Sequence, residues 1–246
     1  MSAQSRPVLV LVGPPGAGKT TVGRVLARRL EVAFTDVDAV IVERAGKPIA
    51  DMFVQDGEDA FRALEREVVV QALSSTVGVL ALGGGSVLAA EIRTRLREHR
   101  VVHLHVGLAD GLRRTGMSTA RPLLAGVNPR STFRALLDER LPLYREVASI
   151  EVDTVRCSAN QVARAVLIAI GELAPDAPED PIDPDDPLDA PGHTSAEPAM
   201  LPTPTVRDSA DQHGSTTDQH GSTTDQHGST TDQHGSTTDQ HGSTTD

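Results

Sequence analysis

Gly13-Pro-Pro-Gly-Ala-Gly-Lys-Thr20 follows an apolar run, Val8-Leu-Val-Leu-Val12, and opens a helical pattern carried by Val22, Val25, Leu26 and Leu30. Strand, glycine-rich loop and helix in this order, with the spacing G-x-x-x-x-G-K-[ST], read as a P-loop. Gly13, Gly16 and Gly18 allow the backbone to wrap closely enough for its N–H groups to surround phosphate oxygens. The helix that follows adds the positive end of its dipole. Lys19 places a point charge on the outer phosphates, and the Thr20 hydroxyl is a ligand for Mg²⁺. The stretch Gly16, Ala17, Gly18, Lys19, Thr20 and Thr21 is therefore the expected nucleoside-triphosphate cradle. It does not say which group accepts the phosphate.

Working outward, the chain of 246 residues has room for one or two domains. Its net charge of −11 is unevenly placed. Residues 174–246 hold 15 acidic residues and one basic residue, whereas residues 1–173 hold 19 acidic and 22 basic ones. The first part thus carries +3, which suits a small polyanion such as a nucleotide better than a nucleic acid. One cysteine, Cys157, excludes an intrachain disulfide framework and fits a reducing cytoplasm. The Met1–Pro7 segment is too short and polar for a signal peptide, and Val8–Val12 is too short to span a bilayer. A soluble, cytoplasmic monomer acting without membrane or nucleic-acid partners is expected.

Strand patterns recur at Val8–Val12, Val32–Thr35, Val77–Leu82, Val101–Val106 and Ile150–Thr154, each separated from the next by helical periodicity. Helices are expected over 39–45, 58–73, 90–98, 108–115 and 131–140, and after Ser158 and Gln161, which have capping-box spacing. Five strands alternating with helices predict an α/β domain over 6–173, with a parallel sheet covered on both faces. Ligands of such a sheet bind beyond the strands' carboxyl ends, where Gly13–Thr20, Asp36, Asp38 and Gly83–Gly85 fall. Beyond Leu173 the chain turns rich in Pro and Asp and then repeats Asp-Gln-His-Gly-Ser-Thr-Thr five times over 211–245. No repeat position is apolar, which excludes a coiled coil, and residues 174–246 read as a disordered tail unable to pack a core. The repeat histidines have no second ligand held nearby and do not read as a metal site.

Four features narrow the acceptor. Asp36 and Asp38 stand at the end of the second strand, facing one side by period-two spacing, one to support a Mg²⁺ water and the other to accept a hydroxyl proton. Glu58, Phe61, Arg62 and Glu65 share a helical face, so an arginine fork lies between carboxylates. Gly83-Gly-Gly85 after a buried strand permits close approach of a ligand to backbone. Arg121 lies in a polar loop, 116–127, long enough to be a lid, and Arg140 at a helix end.

With these residues in place the chain resembles the shikimate kinase family. The matches are Gly13–Thr20, Asp36-Val-Asp38, Gly46-Lys-Pro-Ile-Ala-Asp-Met-Phe53, Gly57-Glu-x-x-Phe-Arg-x-x-Glu65, Leu82-Gly-Gly-Gly85, Arg121-Pro-Leu-Leu124 and Arg140-x-Pro-Leu-Tyr144. They run in order across about residues 6–172. The resemblance implies ATP-dependent phosphorylation of the shikimate 3-hydroxyl, toward chorismate and the aromatic amino acids. It implies that Asp38 meets the reacting hydroxyl, that Arg62 and Arg140 hold the carboxylate, that Gly84 touches substrate through its backbone, and that Arg121 closes over the ATP phosphates. Lys19, Asp38 and Arg121 are then the catalytic set, and Thr20 the Mg²⁺ ligand with Asp36 behind it. A cyclic triol carboxylate calls for the same chemistry, a planar guanidinium at one end and an acid at the other. The family's basic residue near adenine falls at Cys157 here, with Arg156 adjacent. Two alternatives stay open: a gluconate-kinase-like enzyme of the same group, and a non-catalytic nucleotide-binding module.

Overall fold

The computed structural model describes residues 7–115, 128–178 and 202–206. Among them are β1 (Pro7–Val12), α1 (Lys19–Arg29), β2 (Phe34–Asp36), α2 (Val37–Ala45), α3 (Ile49–Gln55) and α4 (Gly57–Ser75). Then come β3 (Gly78–Ala81), α5 (Ala90–Leu96), β4 (Val101–His105), α6 (Leu108–Thr115), α7 (Pro129–Val147), β5 (Ile150–Asp153), α8 (Ala159–Ala169) and β6 (Thr205–Val206). The strands form one sheet in the order β2-β3-β1-β4-β5-β6. The first five run parallel, so each β-to-β connection crosses over through helices, as the alternating pattern predicts.

Side chains alternate across the sheet and sort the core into two layers. Leu9, Leu11, Val79, Ala81, Val102 and Leu104 face α1 and α8. Val10, Val12, Leu80, Leu82 and Val101 face the layer of α2, α4, α5 and α7, with Ile41, Val69, Leu96 and Tyr144. Two-sided burial explains the near-continuous apolar runs of the central strands. The helix α8 begins with the expected capping box, Ser158 accepting from Gln161 N–H while the Gln161 side chain accepts from Ser158 N–H.

Three expectations need correction. Asp38 is not at a strand end: β2 stops at Asp36, whose side chain accepts from Asp38 N–H and caps α2. An Asp at the N-cap satisfies an orphan donor, so helix starts two residues earlier than the strand pattern indicated. The helix expected to end at Arg140 runs on to Val147 with Pro142 inside it. Buried Arg140, Tyr144 and Val147 anchor both sides of the proline and offset its local cost. The region after Leu173 is not uniformly without packing. Leu173 rests on the core, and the carbonyls of Pro175, Ala177 and Pro178 accept from the guanidinium of buried Arg164. Thr205 and Val206 pair antiparallel with Glu151 and Ile150, adding a sixth strand to the five expected. Residues 207–246, with the heptapeptide repeats, lie outside the described residues.

Candidate active site

The P-loop joins β1 to α1 at the carboxyl edge of the sheet. Gly13 has φ +147°, and a methyl group there would lie 2.5 Å from the Leu104 carbonyl oxygen, so the first turn of the loop requires glycine. Lys19 Nζ donates to the carbonyls of Gly13 (2.8 Å) and Pro14 (3.1 Å), folding the ammonium over the loop. Thr20 Oγ1 donates to Asp36 Oδ2 at 2.7 Å. Asp36 therefore ties the start of α1 to the start of α2 through its two oxygens. A hydroxyl and a carboxylate side by side are hard oxygen donors of the kind that suits Mg²⁺.

Next to the P-loop stands the Gly83–Gly85 turn after β3, and the predicted acceptor residues converge on it. A methyl group on Gly84 would lie 3.2 Å from Pro15, so the two glycine-rich turns are in direct contact. One on Gly83 would lie 2.7 Å from Asp38 Oδ1 and 2.9 Å from Glu65 Oε1, and one on Gly85 would strike the Arg62 guanidinium. Arg62 donates to Glu65 Oε2 at 2.6 Å and, on its other edge, to Glu58 Oε1 at 3.2 and 3.3 Å. The arginine fork between carboxylates expected on α4 is thus formed. Glu65 is buried and also accepts from Ser86 Oγ at 2.8 Å. From α7, Arg140 Nη1 donates to the Gly84 carbonyl at 3.2 Å, and its Nε is buried without a hydrogen-bond partner among the described residues. One cation on α4, another on α7 and one acid on α2 thus surround a turn with no side chains of its own.

Arg121 and the rest of 116–127 lie outside the described residues. Arg156, expected near a base, is exposed with φ +56°. Two further groups were given no role by the sequence reading. Arg114, near the end of α6, donates to Gly16 O (3.2 Å), Thr154 Oγ1 (3.2 Å) and Thr154 O (2.9 Å), fastening the P-loop to the end of β5. Burial lowers its pKa from the ordinary arginine value, with Asp110 opposing. Tyr144 Oη donates to the Gly84 carbonyl at 2.5 Å. Its i+4 spacing from Arg140 was a usable signal, hidden because Pro142 seemed to end the helix.

A parallel sheet with a phosphate-cradling loop at its carboxyl edge and an acid and two guanidiniums beside that loop defines a P-loop phosphotransferase. The shikimate kinase family model matches residues 15–171. A shikimate kinase of Saccharopolyspora erythraea is 66% identical over 148 residues, spanning 60% of this chain and 85% of the relative. That of Thermobifida fusca is 56% identical over 162 residues, 66% of this chain and 94% of the relative. The solved shikimate kinase from Acinetobacter baumannii in complex with shikimate superposes with a TM-score of 0.65 at 40% identity, covering 68% of this chain and 94% of that one. The chain belongs to the shikimate kinase family.

Proposed function

We propose that this chain transfers the γ-phosphoryl group of ATP to the 3-hydroxyl of shikimate, giving shikimate 3-phosphate and ADP, a step toward chorismate and the aromatic amino acids. The observation that carries this reading is the convergence of Asp38, Arg62 and Arg140 on the Gly83–Gly85 turn, itself against Pro15 of the P-loop. Phosphoryl transfer of this kind needs positioning and charge stabilisation more than covalent chemistry.

In the proposed arrangement the backbone of Gly16–Thr21 holds the ATP phosphates, and Lys19 turns from its two carbonyls toward them. Thr20 binds Mg²⁺ with Asp36 behind it. The ion would supply positive charge that offsets the charge of the phosphates during transfer. Arg62 and Arg140 take the two sides of the substrate carboxylate, with Gly84 offering backbone. Asp38 orients the acceptor hydroxyl and receives its proton as the oxygen attacks phosphorus. Arg121 completes the charge stabilisation from the lid segment. The kinase domain on this reading spans 6–173, and 174–246 takes no part in the chemistry. Action on a small anion is supported by the mildly cationic 1–173 segment, and a cytoplasmic setting by the single cysteine; we take the chain to act as a monomer. Among the described residues no helix is long and apolar enough to cross a membrane.

A coupled assay of ADP formation with shikimate, with gluconate and with no acceptor tests the reading. Turnover should depend on shikimate and be near background in the other two. Equal turnover with gluconate would assign a different acceptor, and binding of ATP without acceptor-dependent turnover would leave a nucleotide-binding module.

A further inference from the structure

The Gly84–Gly85 peptide should be among the loosest in the site, because three consecutive glycines give it the widest conformational freedom in the chain. Instead its carbonyl is held twice. Arg140 Nη1 donates at 3.2 Å and Tyr144 Oη at 2.5 Å, from residues one helical turn apart on the same face of α7. These two donors occupy both lone pairs of the oxygen and fix the plane of the peptide. They are not equivalent. A carboxylate arriving at Arg140 draws the guanidinium into charge-assisted bonds stronger than one to a neutral carbonyl. Tyr144 carries no charge and has no such competitor.

The phenol is itself held rigidly. It is 1% exposed, and its ring stacks on that of His103 with centroids 5.1 Å apart and planes 19° from parallel. His103 Nδ1 lies 3.3 Å from Glu151 Oε2, and Arg145 binds the same carboxylate at 3.1 and 3.2 Å. A column of side chains from β5 through β4 to α7 therefore stands behind one hydroxyl. Burial raises the Tyr144 pKa well above its ordinary value, which keeps the hydroxyl a donor.

We propose that Tyr144 is the positioning residue of the acceptor site: its hydroxyl fixes the Gly84 carbonyl so that the Gly83–Gly85 turn keeps its place when Arg140 is drawn to the substrate carboxylate. The inference rests on the acceptor reading above. Removing the hydroxyl while keeping the ring should loosen the acceptor site alone.

Tyr144→Phe should raise the KM for shikimate about 3- to 10-fold, the range of one hydrogen bond of ordinary net strength. The KM for ATP should stay within about twofold of the parent. Unchanged shikimate KM in the folded variant, or equal losses for both substrates, would overturn the proposal. If Tyr144→Phe does not fold, His103→Leu decides. It leaves the hydroxyl but removes the ring behind it, and a rise in shikimate KM alone supports the role while an unchanged KM overturns it. Failure of the acceptor reading is distinguishable, because the parent enzyme would then show no shikimate-dependent turnover.

Discussion

The two faces of the sheet bury polar groups to different ends. On the α1 and α8 face the buried arginine, Arg164, spends its guanidinium on three backbone carbonyls of the chain's own extension. On the opposite face Glu65, Ser86 and Arg140 are also buried, and with Tyr144 they all meet at or beside the Gly83–Gly85 turn. One face fastens chain to chain, and the other builds a site. Burial of a charge thus does not identify function, because either arrangement satisfies the need for partners. What separates them is where the donors point: at backbone carbonyls of the chain's own extension, or at a turn made of glycine beside the P-loop.

The largest separation of the two faces should come from Asp38→Asn. On the order of 10²–10⁴ in turnover should be lost, since the amide keeps the shape but accepts no proton. ATP binding and melting temperature should stay close to the parent's. Near-normal turnover in the folded variant would reduce Asp38 to a helix-start residue.

A smaller effect is expected from pH, again on the site face. Burial lowers the His103 pKa from 6.5 to about 4, with Glu151 opposing and His105 and Arg145 assisting. The folded chain keeps this imidazole neutral, while the unfolded chain takes up a proton as pH falls through 6.5. The contribution is therefore present above that value and lost as pH falls toward 4. About 2 kcal/mol should vanish between pH 7 and pH 5. Burial by itself would raise the Glu151 carboxyl, but Arg145 and His103 hold it below its ordinary value, so it stays charged across this window. Urea unfolding at the two pH values should show the loss, and His103→Phe should abolish it. An undiminished loss in His103→Phe would place the titrating group elsewhere.

On the fastening face Arg164→Met should cost about 1–2 kcal/mol, as carbonyls lose a charged donor. Both KM values and turnover should be unchanged. A kinetic effect would connect the two faces and break the distinction drawn between them. Smallest of all, ending the chain at Leu201 removes two edge residues of the sheet and should lower stability by less than about 1 kcal/mol. A larger fall in thermal unfolding temperature would make the return of the chain to β5 a principal support of the sheet.

Much of this was legible from short-range pattern. The P-loop, the apolar strands and the fork of Glu58, Arg62 and Glu65 depend on spacings of two, three, four or eight residues. Such spacings are fixed by backbone geometry and need no knowledge of what lies opposite. Asp38 was placed on the wrong element, at a strand end instead of in the first turn of α2. The two aspartates two residues apart read as one strand end, and only the hydrogen bond from Asp38 N–H to Asp36 shows that Asp36 caps a helix already begun at Val37.

By itself, then, the sequence determined a parallel α/β fold, a phosphate loop at its carboxyl edge, and which charged residues were candidates for the acceptor. Only the tertiary structure decided that Tyr144 and Arg140 share one carbonyl, that Arg114 fastens the P-loop to Thr154, and that Arg164 receives the chain after α8. Each of these joins residues through a backbone oxygen, which every residue type carries. A carbonyl leaves no mark in the sequence; the fold alone chooses which one meets the donor.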